Sequence, residues 1–145
     1  YIRVDKGDFR DLRDDYDRLS NGFSVIQEGD DCSVVISTGI CSQYAMSYRH
    51  SAKVIDLFRV KPINRHALLE QIANSKHIIT YEEHVSNTGI GSIISNIVAE
   101  EGLGIKVKKL ALPEEQCFIN GDREYLHKQY GIDSWQLRKW IGHIA

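Results

Sequence analysis

The sequence predicts a three-layer α/β domain built around a mostly parallel sheet. Short apolar runs, such as Val34-Val35-Ile36, are typical of strands that are buried on both faces. Residues 90–98 instead carry isoleucine and valine at the spacing of one helical face. Segments of these two kinds alternate along the chain, which is the pattern of strands connected by helices in α/β domains.

The first two strands are predicted at residues 22–28 and 32–37. Gly29-Asp30-Asp31 between them is a turn signal, so we expect a hairpin in which one strand is antiparallel. A helix is predicted next at residues 42–49, and it is short for a crossover between parallel strands.

The later elements have local start and stop signals. Strands are predicted at residues 53–58, 77–81 and 106–112. Asn64 is a candidate N-cap for a helix at residues 65–74, and Asp122 and Asp133 are candidate N-caps for two closing helices. Gly131 between the closing helices is a helix stop.

Composition narrows the classes of function. The chain has 145 residues, which fits one domain, and its net charge of -2 provides no basic field for nucleic acid or anionic lipid. No apolar run is long enough to span a membrane. Cys32, Cys41 and Cys117 are widely spaced and odd in number, which favours a reduced, cytoplasmic protein over a disulfide framework.

The first 21 residues do not follow the alternating strand and helix pattern of the rest of the chain. Residues 1–4 read as a strand that begins without a disordered lead-in, which suggests a chain cut from a longer one. Residues 5–21 are dense in charge and are predicted to form a surface linker. We therefore divide the chain at residues 1–21 and 22–145.

The first candidate site joins a buried strand to a helix. It comprises the carboxylates and imidazole of Glu82-Glu83-His84 and the loop that contains Gly89, Gly91 and Ser92. Glycines allow the backbone to approach a ligand, and free N–H groups at a helix start favour an anion. A carboxylate beside an imidazole can also relay a proton. The alternative is that the glycines only turn the chain and the acids hold the loop.

The second candidate is Arg3, whose guanidinium is able to hold a phosphate or carboxylate through two hydrogen bonds. A surface ion pair with a nearby aspartate is the alternative. The six histidines lack metal-ligand spacing, so no metal site is predicted. Neither a nucleophile elbow nor a P-loop is present.

The order of motifs resembles the carboxy-terminal domain of the transketolase family. The motifs are Val54-Ile55-Asp56-Leu57 followed by Val60-Lys61-Pro62, Ile78-Ile79-Thr80 followed by Glu82-Glu83-His84, Gly89-x-Gly91-Ser92, and Tyr130-Gly131-Ile132-Asp133. The resemblance extends from about Phe23 to the end of the chain. Tyr1-Ile2-Arg3 resembles the last strand of the pyrimidine-binding domain that precedes it in that family.

The resemblance implies a sheet of five strands with the first antiparallel, and a homodimer. It implies an enzyme that moves two-carbon ketol units between sugar phosphates, with this domain supporting the dimer and the substrate channel. Thiamine diphosphate and a divalent metal such as magnesium are expected on upstream domains, in the same chain or a separate subunit. No cofactor is expected in this chain, which is then inactive in isolation. An arginine matching Arg3 contributes to the substrate phosphate site.

One departure from the family pattern affects the candidate site. Thr88 stands where the family often has a glycine, which makes a nucleotide in this loop less favourable. Two other functions stay open, namely a non-catalytic assembly domain and an anion- or nucleotide-binding regulatory domain.

Overall fold

The computed structural model describes residues 1–2, 4–5, 9, 11–12, 19–47 and 50–144. The strands are β1 (Phe23–Gln27), β2 (Asp30–Ser37), β3 (Ala52–Leu57), β4 (His77–Val85) and β5 (Lys106–Leu112). The helices are α1 (Ile40–Ala45), α2 (Arg65–Ile72), α3 (Ile90–Glu100), α4 (Arg123–Tyr130) and α5 (Ser134–Ile144), and a 3₁₀ turn spans Leu19–Asn21.

The strands form one five-stranded sheet in the order β1-β3-β2-β4-β5. β3, β2, β4 and β5 are parallel, and only β1 is antiparallel to its neighbour. One face of the sheet packs on α2 and α3 around Ile36 and Ile55. The other face packs on α1 and α5 around Val35 and Tyr81. The predicted three-layer fold with a mixed, mostly parallel sheet is confirmed.

The predicted hairpin is wrong, because β1 does not pair with β2. β1 pairs with β3, with Phe23 opposite Leu57 and Val25 opposite Ile55. Gly29 is not part of a tight turn: a Cβ there would lie 2.2 Å from the carbonyl oxygen of Ser51. The glycine therefore lets the chain pass the start of β3, which lies between β1 and β2.

The central position of β2 explains this order. Val34, Val35 and Ile36 are at most 1% exposed, so β2 is covered on both faces, and it has a parallel partner along each edge. β1 is only partly buried beyond Phe23 and lies at the edge of the sheet. Burial of the more apolar strand at the centre removes more apolar surface from water.

The predicted helix caps are confirmed. Backbone N–H groups donate to the side chains of Asn64 at 3.2 Å, Asp122 at 2.8 Å and Asp133 at 2.8 Å. Gly131 has a φ of 65°, the left-handed conformation expected at a helix stop. These features depend on neighbouring residues, and this explains why the sequence predicted them.

The short crossover also has a physical explanation. Residues 38–51 connect β2 to the adjacent β3, and about a dozen residues are sufficient for a parallel connection. Cys41 and Ala45 are fully buried, and their small size lets α1 lie close to the sheet. The Ser42 hydroxyl donates to Asp56 at 2.6 Å, which attaches α1 to β3.

The opening strand predicted at residues 1–4 is absent from the described part of that segment. Tyr1, Ile2 and Val4 are exposed and belong to no strand. A strand requires a neighbour to complete its hydrogen bonds, and no strand of the sheet adjoins these residues. Arg3 lies outside the described residues. Within the described part of the chain, no helix is both long and apolar enough to cross a membrane.

Candidate functional site

A crevice lies at the carboxyl ends of β2 and β4, where the strand order changes direction. The chain continues from β2 to β3 on one side, and β4 lies on the other. Such a position is the usual ligand site of an open α/β sheet. The cavity has a volume of about 280 Å³ and is lined by Thr38, Val60, Glu82, His84, Thr88, Gly89, Ile90 and Ile93.

The side chain of Glu82, a residue of β4, lies against the amino-terminal end of α3. Glu82 is 1% exposed, and its two carboxylate oxygens accept hydrogen bonds from the backbone N–H groups of Ile90 at 2.7 Å and Gly91 at 2.8 Å. The positive end of the helix dipole stabilises the carboxylate charge. The anion at this helix start is therefore a side chain of the protein itself.

The two glycines of the loop permit this close contact. A Cβ on Gly89 would lie 2.0 Å from a carboxylate oxygen of Glu82. A Cβ on Gly91 would lie 2.6 Å from the hydroxyl oxygen of Thr80 and 2.9 Å from Cγ of Lys109. Both glycines bring the helix start against the sheet, and neither has a positive φ.

Ser92 belongs to a small network that holds the loop. Its hydroxyl donates to the carbonyl oxygen of Ser86 at 2.8 Å. The Lys109 ammonium donates to the Ser92 hydroxyl at 2.9 Å and to the Ser86 carbonyl at 3.2 Å. Sequence reasoning missed Lys109. Strand alternation was the available signal, because it places Lys109 on the same face as Val107, which packs against the core that contains α3.

Glu83 points to the opposite face of the sheet from Glu82, as alternation along a strand requires. Its carboxylate lies 2.6 Å from Nε2 of His127 and 2.8 Å from Nε of Arg123. The imidazole that Glu83 contacts is therefore on α4 rather than the adjacent His84. His84 is exposed at the rim of the crevice, and its Nδ1 lies 3.4 Å from the Thr88 hydroxyl.

A second cavity adjoins His127 on the far face. It has a volume of about 250 Å³ and is lined by Tyr44, Glu124, His127, Lys128, Asp133 and Ser134. The rings of Tyr44 and His127 meet edge to face, with centroids 5.5 Å apart. Burial raises the pKa of Tyr44, and it raises the pKa of Tyr81 strongly. The Tyr81 hydroxyl is buried without a hydrogen-bond partner in the part of the chain that the structure describes.

Comparison with known proteins identifies the family. The family model described as "Transketolase, C-terminal domain" matches residues 23–137. The chain belongs to the transketolase C-terminal domain family. The resemblance found in the sequence is thereby confirmed.

Individual relatives agree with this family. A subunit of the apulose-4-phosphate transketolase of Actinobacillus succinogenes is 26% identical over 141 residues, which cover 92% of this chain and 45% of that protein. A 1-deoxy-D-xylulose-5-phosphate synthase of Geobacter sulfurreducens is 32% identical over 119 residues, which cover 76% of this chain and 18% of that protein. The chain thus spans less than half the length of these relatives.

A solved structure has the same fold. It is described as "Split gene transketolase, inactive beta4 tetramer", and it superposes with a TM-score of 0.75 at 24% sequence identity. The superposition covers 88% of this chain and 43% of that one. The likeness extends the family assignment to the arrangement of the sheet and helices.

The transketolase C-terminal domain was predicted to bind an anion through Glu83, His84, Gly89, Gly91 and Ser92. The structure brings four of them to the crevice or to the start of α3 and turns Glu83 to the opposite face of the sheet. Their anion-binding role stays a prediction. The role of Arg3 also stays a prediction, because that residue lies outside the described part of the chain.

The described residues of this transketolase C-terminal domain do not fit a metal or a diphosphate group. They contain no group of three His, Cys, Asp or Glu side chains that could hold a metal ion. The N–H groups at the start of α3 are bonded to Glu82, and side chains cap α2 and α4.

Proposed function

We propose that this chain is the carboxy-terminal domain of a thiamine-diphosphate-dependent enzyme that transfers two-carbon ketol units between sugar phosphates. The observation that carries the proposal is the family match over residues 23–137. The similarity to a transketolase subunit over 92% of the chain supports it. The cofactor supplies the carbanion chemistry, and we assign it and a divalent metal such as magnesium to upstream domains in the same chain or a separate cytoplasmic subunit.

We further propose that Arg3 binds the substrate phosphate. In this view residues 1–21 are the end of a pyrimidine-binding domain and a linker. A guanidinium forms charge-assisted, two-point hydrogen bonds to phosphate, and the substrate lies next to the cofactor domains. This assignment predicts that Arg3 affects substrate affinity more than it affects folding.

The test is steady-state kinetics of the complete enzyme with thiamine diphosphate, magnesium, a ketose phosphate donor and an aldose phosphate acceptor. Ketol transfer is the expected result, and its absence over a panel of sugar phosphates contradicts the proposed reaction. Arg3→Ala should raise the KM for the phosphorylated substrate by about 10- to 100-fold, the equivalent of one or two lost charged hydrogen bonds. Arg65→Ala is the control, because it removes a guanidinium that pairs with Glu100 and Glu101 at the carboxyl end of α3. An unchanged KM in Arg3→Ala removes Arg3 from the site.

Support of a homodimer is the second part of the proposed role. Phe118 is 83% exposed, Trp135 is 61% exposed and Tyr125 is 45% exposed, and all three belong to α4, α5 or the segment before them. Large apolar side chains that remain exposed are typical of a surface that meets a partner. The partner that this role requires is a second copy of the chain. In the same role, the domain forms one wall of the substrate channel.

Sedimentation velocity of the complete enzyme tests the dimer. The double variant Phe118→Ser with Trp135→Ser should raise the dissociation constant of the dimer at least about tenfold. Each substitution removes apolar surface whose burial in the dimer contributes more than about 1 kcal/mol. Val60→Ser is the control, because Val60 is also exposed but lines the crevice beside α3. An unaltered dimer constant in the double variant rejects this surface as the dimer contact.

The crevice beside α3 favours one alternative function, a regulatory domain that binds an anion or nucleotide. His84 at the rim and Gly89 at the start of α3 would then contact the ligand. Gly91 and Ser92 follow in the first turn of the same helix. The ligand would have to displace Glu82 from the start of α3 or bind beside it. Calorimetric titration of the chain with ATP, GTP and inorganic phosphate tests this alternative: saturation supports it, and a flat titration dismisses it.

A further inference from the structure

A chain of four charged or polar side chains joins the segment before the domain to the sheet. Nη2 of Arg123 lies 2.9 Å and 2.7 Å from the two carboxylate oxygens of Asp5. Nε of Arg123 lies 2.8 Å from a carboxylate oxygen of Glu83, and that same oxygen lies 2.6 Å from Nε2 of His127. We name Asp5, Arg123, Glu83 and His127 the linker clamp.

The members of the linker clamp come from distant parts of the chain. Asp5 and Arg123 are 118 residues apart, and Glu83 and His127 are 44 residues apart. Glu83 follows the buried part of β4, and Arg123 is the first residue of α4. His127 is on the next turn of α4 and is only 5% exposed, so it provides a fixed support for Glu83.

This arrangement differs from an ordinary surface ion pair, which contributes little because two mobile side chains must be ordered. The Arg123 guanidinium contacts two carboxylates, and its side chain is 32% exposed. Glu83, one of these carboxylates, is itself held by His127. The geometry of Arg123 is thus set before Asp5 binds, which lowers the entropy cost of holding the segment.

We propose that Arg123, oriented by Glu83 and His127, is a positioning residue that fixes the segment around Asp5 on the carboxy-terminal domain. This inference rests on the proposed function, because Asp5 is only two residues from Arg3, the proposed phosphate ligand. Through the linker clamp, the carboxy-terminal domain influences substrate binding without contacting substrate. Arg123 acts through Asp5 and the backbone between positions 3 and 5.

The first arm of the test measures the clamp itself, independently of enzymatic activity. Backbone ¹⁵N relaxation of the 145-residue chain gives order parameters for the amides of Val4 and Asp5. Arg123→Met should lower them from about 0.85, typical of ordered backbone, to below about 0.6. Asp5→Asn should have the same effect without altering α4, and the double variant should add nothing. Arg123→Lys should give intermediate values, because lysine keeps the charge but lacks the planar fork.

Arg65→Met is the matched control for this arm. Arg65 also contacts two carboxylates, at 2.6 Å and 2.8 Å, but they belong to Glu100, the last residue of α3, and to Glu101, which follows it. Its loss should leave Val4 and Asp5 unchanged. If Arg123→Met folds and leaves the order parameters of Val4 and Asp5 at the wild-type values, the linker clamp does not hold the segment and the proposal is overturned.

The second arm uses the complete enzyme. Arg123→Met should raise the KM for a phosphorylated substrate by about tenfold and change the KM for an unphosphorylated ketol donor by less than about twofold, because misplacement of a binding group mainly weakens its own contact. Equal changes for both substrates, or none, overturn the link to Arg3. If the enzyme shows no ketol transfer, the proposed function fails, whereas the relaxation measurement still decides whether the clamp exists.

Discussion

Replacement of Glu82 with glutamine changes the only side chain that bonds to the first N–H groups of α3 within the described chain. In the native protein, each carboxylate oxygen accepts one hydrogen bond, from Ile90 at 2.7 Å and from Gly91 at 2.8 Å. Glutamine has one acceptor oxygen and one NH₂ group of nearly the same size. The substitution therefore keeps the shape, removes the charge and sets a donor against one backbone N–H.

The expected loss of stability follows from these two changes. A charge-assisted hydrogen bond to a buried group contributes about 1.5–3 kcal/mol. The charge at a helix N-terminus contributes about 0.3–2 kcal/mol. Relief of the desolvation cost of the buried carboxylate offsets part of this sum. We expect Glu82→Gln to lower the free energy of unfolding by about 3 kcal/mol, which corresponds to a fall in Tm of roughly 10 °C for a domain of this size.

Urea and thermal unfolding followed by circular dichroism measure this loss. Glu114→Gln is the control, because Glu114 is exposed in the connection after β5 and its change should stay within about 0.5 kcal/mol. The slope of the urea transition should be the same for all three proteins, which makes the midpoints comparable. A loss below about 1 kcal/mol in Glu82→Gln would refute the view that Glu82 is the essential cap of α3.

Three further predictions concern the contact between the start of α3 and the sheet, the reactivity of the thiols, and stability at alkaline pH. Gly91→Ala should lower the free energy of unfolding in urea by about 1–3 kcal/mol, because its Cβ would lie 2.6 Å from a hydroxyl oxygen on β4. Gly104→Ala is the control: its Cβ meets no atom within 4 Å, so the change should be neutral or stabilising. Mass spectrometry after iodoacetamide treatment at pH 8 should find the exposed Cys117 alkylated first and Cys41 last, because burial raises the pKa of the Cys41 thiol; early Cys41 labelling would contradict this. Burial also raises the pKa of Tyr81, so this residue stabilises the fold fully below the unfolded-state pKa of about 10, and the stability is lost as pH rises above that value. Tyr81→Phe should flatten this alkaline loss in unfolding measured from pH 8 to 11, and an unchanged slope would show that another group causes it.

The candidate site was only partly predictable from sequence. The segment from Glu82 to Ser92 was singled out correctly as a strand end and a helix start, because glycines and acids in this order are a local signal. The same signal was insufficient to separate Glu82, which caps α3, from Glu83, which contacts α4. Their different roles depend on which face of β4 each side chain occupies.

Lys109 and His127 were missed because their partners are remote in sequence. Lys109 contacts Ser92 across 17 residues, and His127 contacts Glu83 across 44 residues. No spacing rule connects such pairs, since each contact forms only after the intervening helices have packed on the sheet. An inward-facing lysine on a strand is the kind of signal that alternation can reveal, whereas a histidine on an amphipathic helix has no comparable signal.

The sequence by itself determined the fold class, the family resemblance and the ends of most helices. The helix caps and the helix stop act on backbone within a few residues, so their effect can be predicted from the local sequence; these residues are Asn64, Asp122, Asp133 and Gly131. Tertiary structure alone decided that β3 lies between β1 and β2, that Glu82 occupies the start of α3, and that Arg123 joins Asp5 to Glu83. The physical reason is that strand order depends on the apolar surface that is buried over whole faces of the sheet. Long-range ion pairs form only after those faces have packed. Both therefore depend on residues that lie far apart in the sequence.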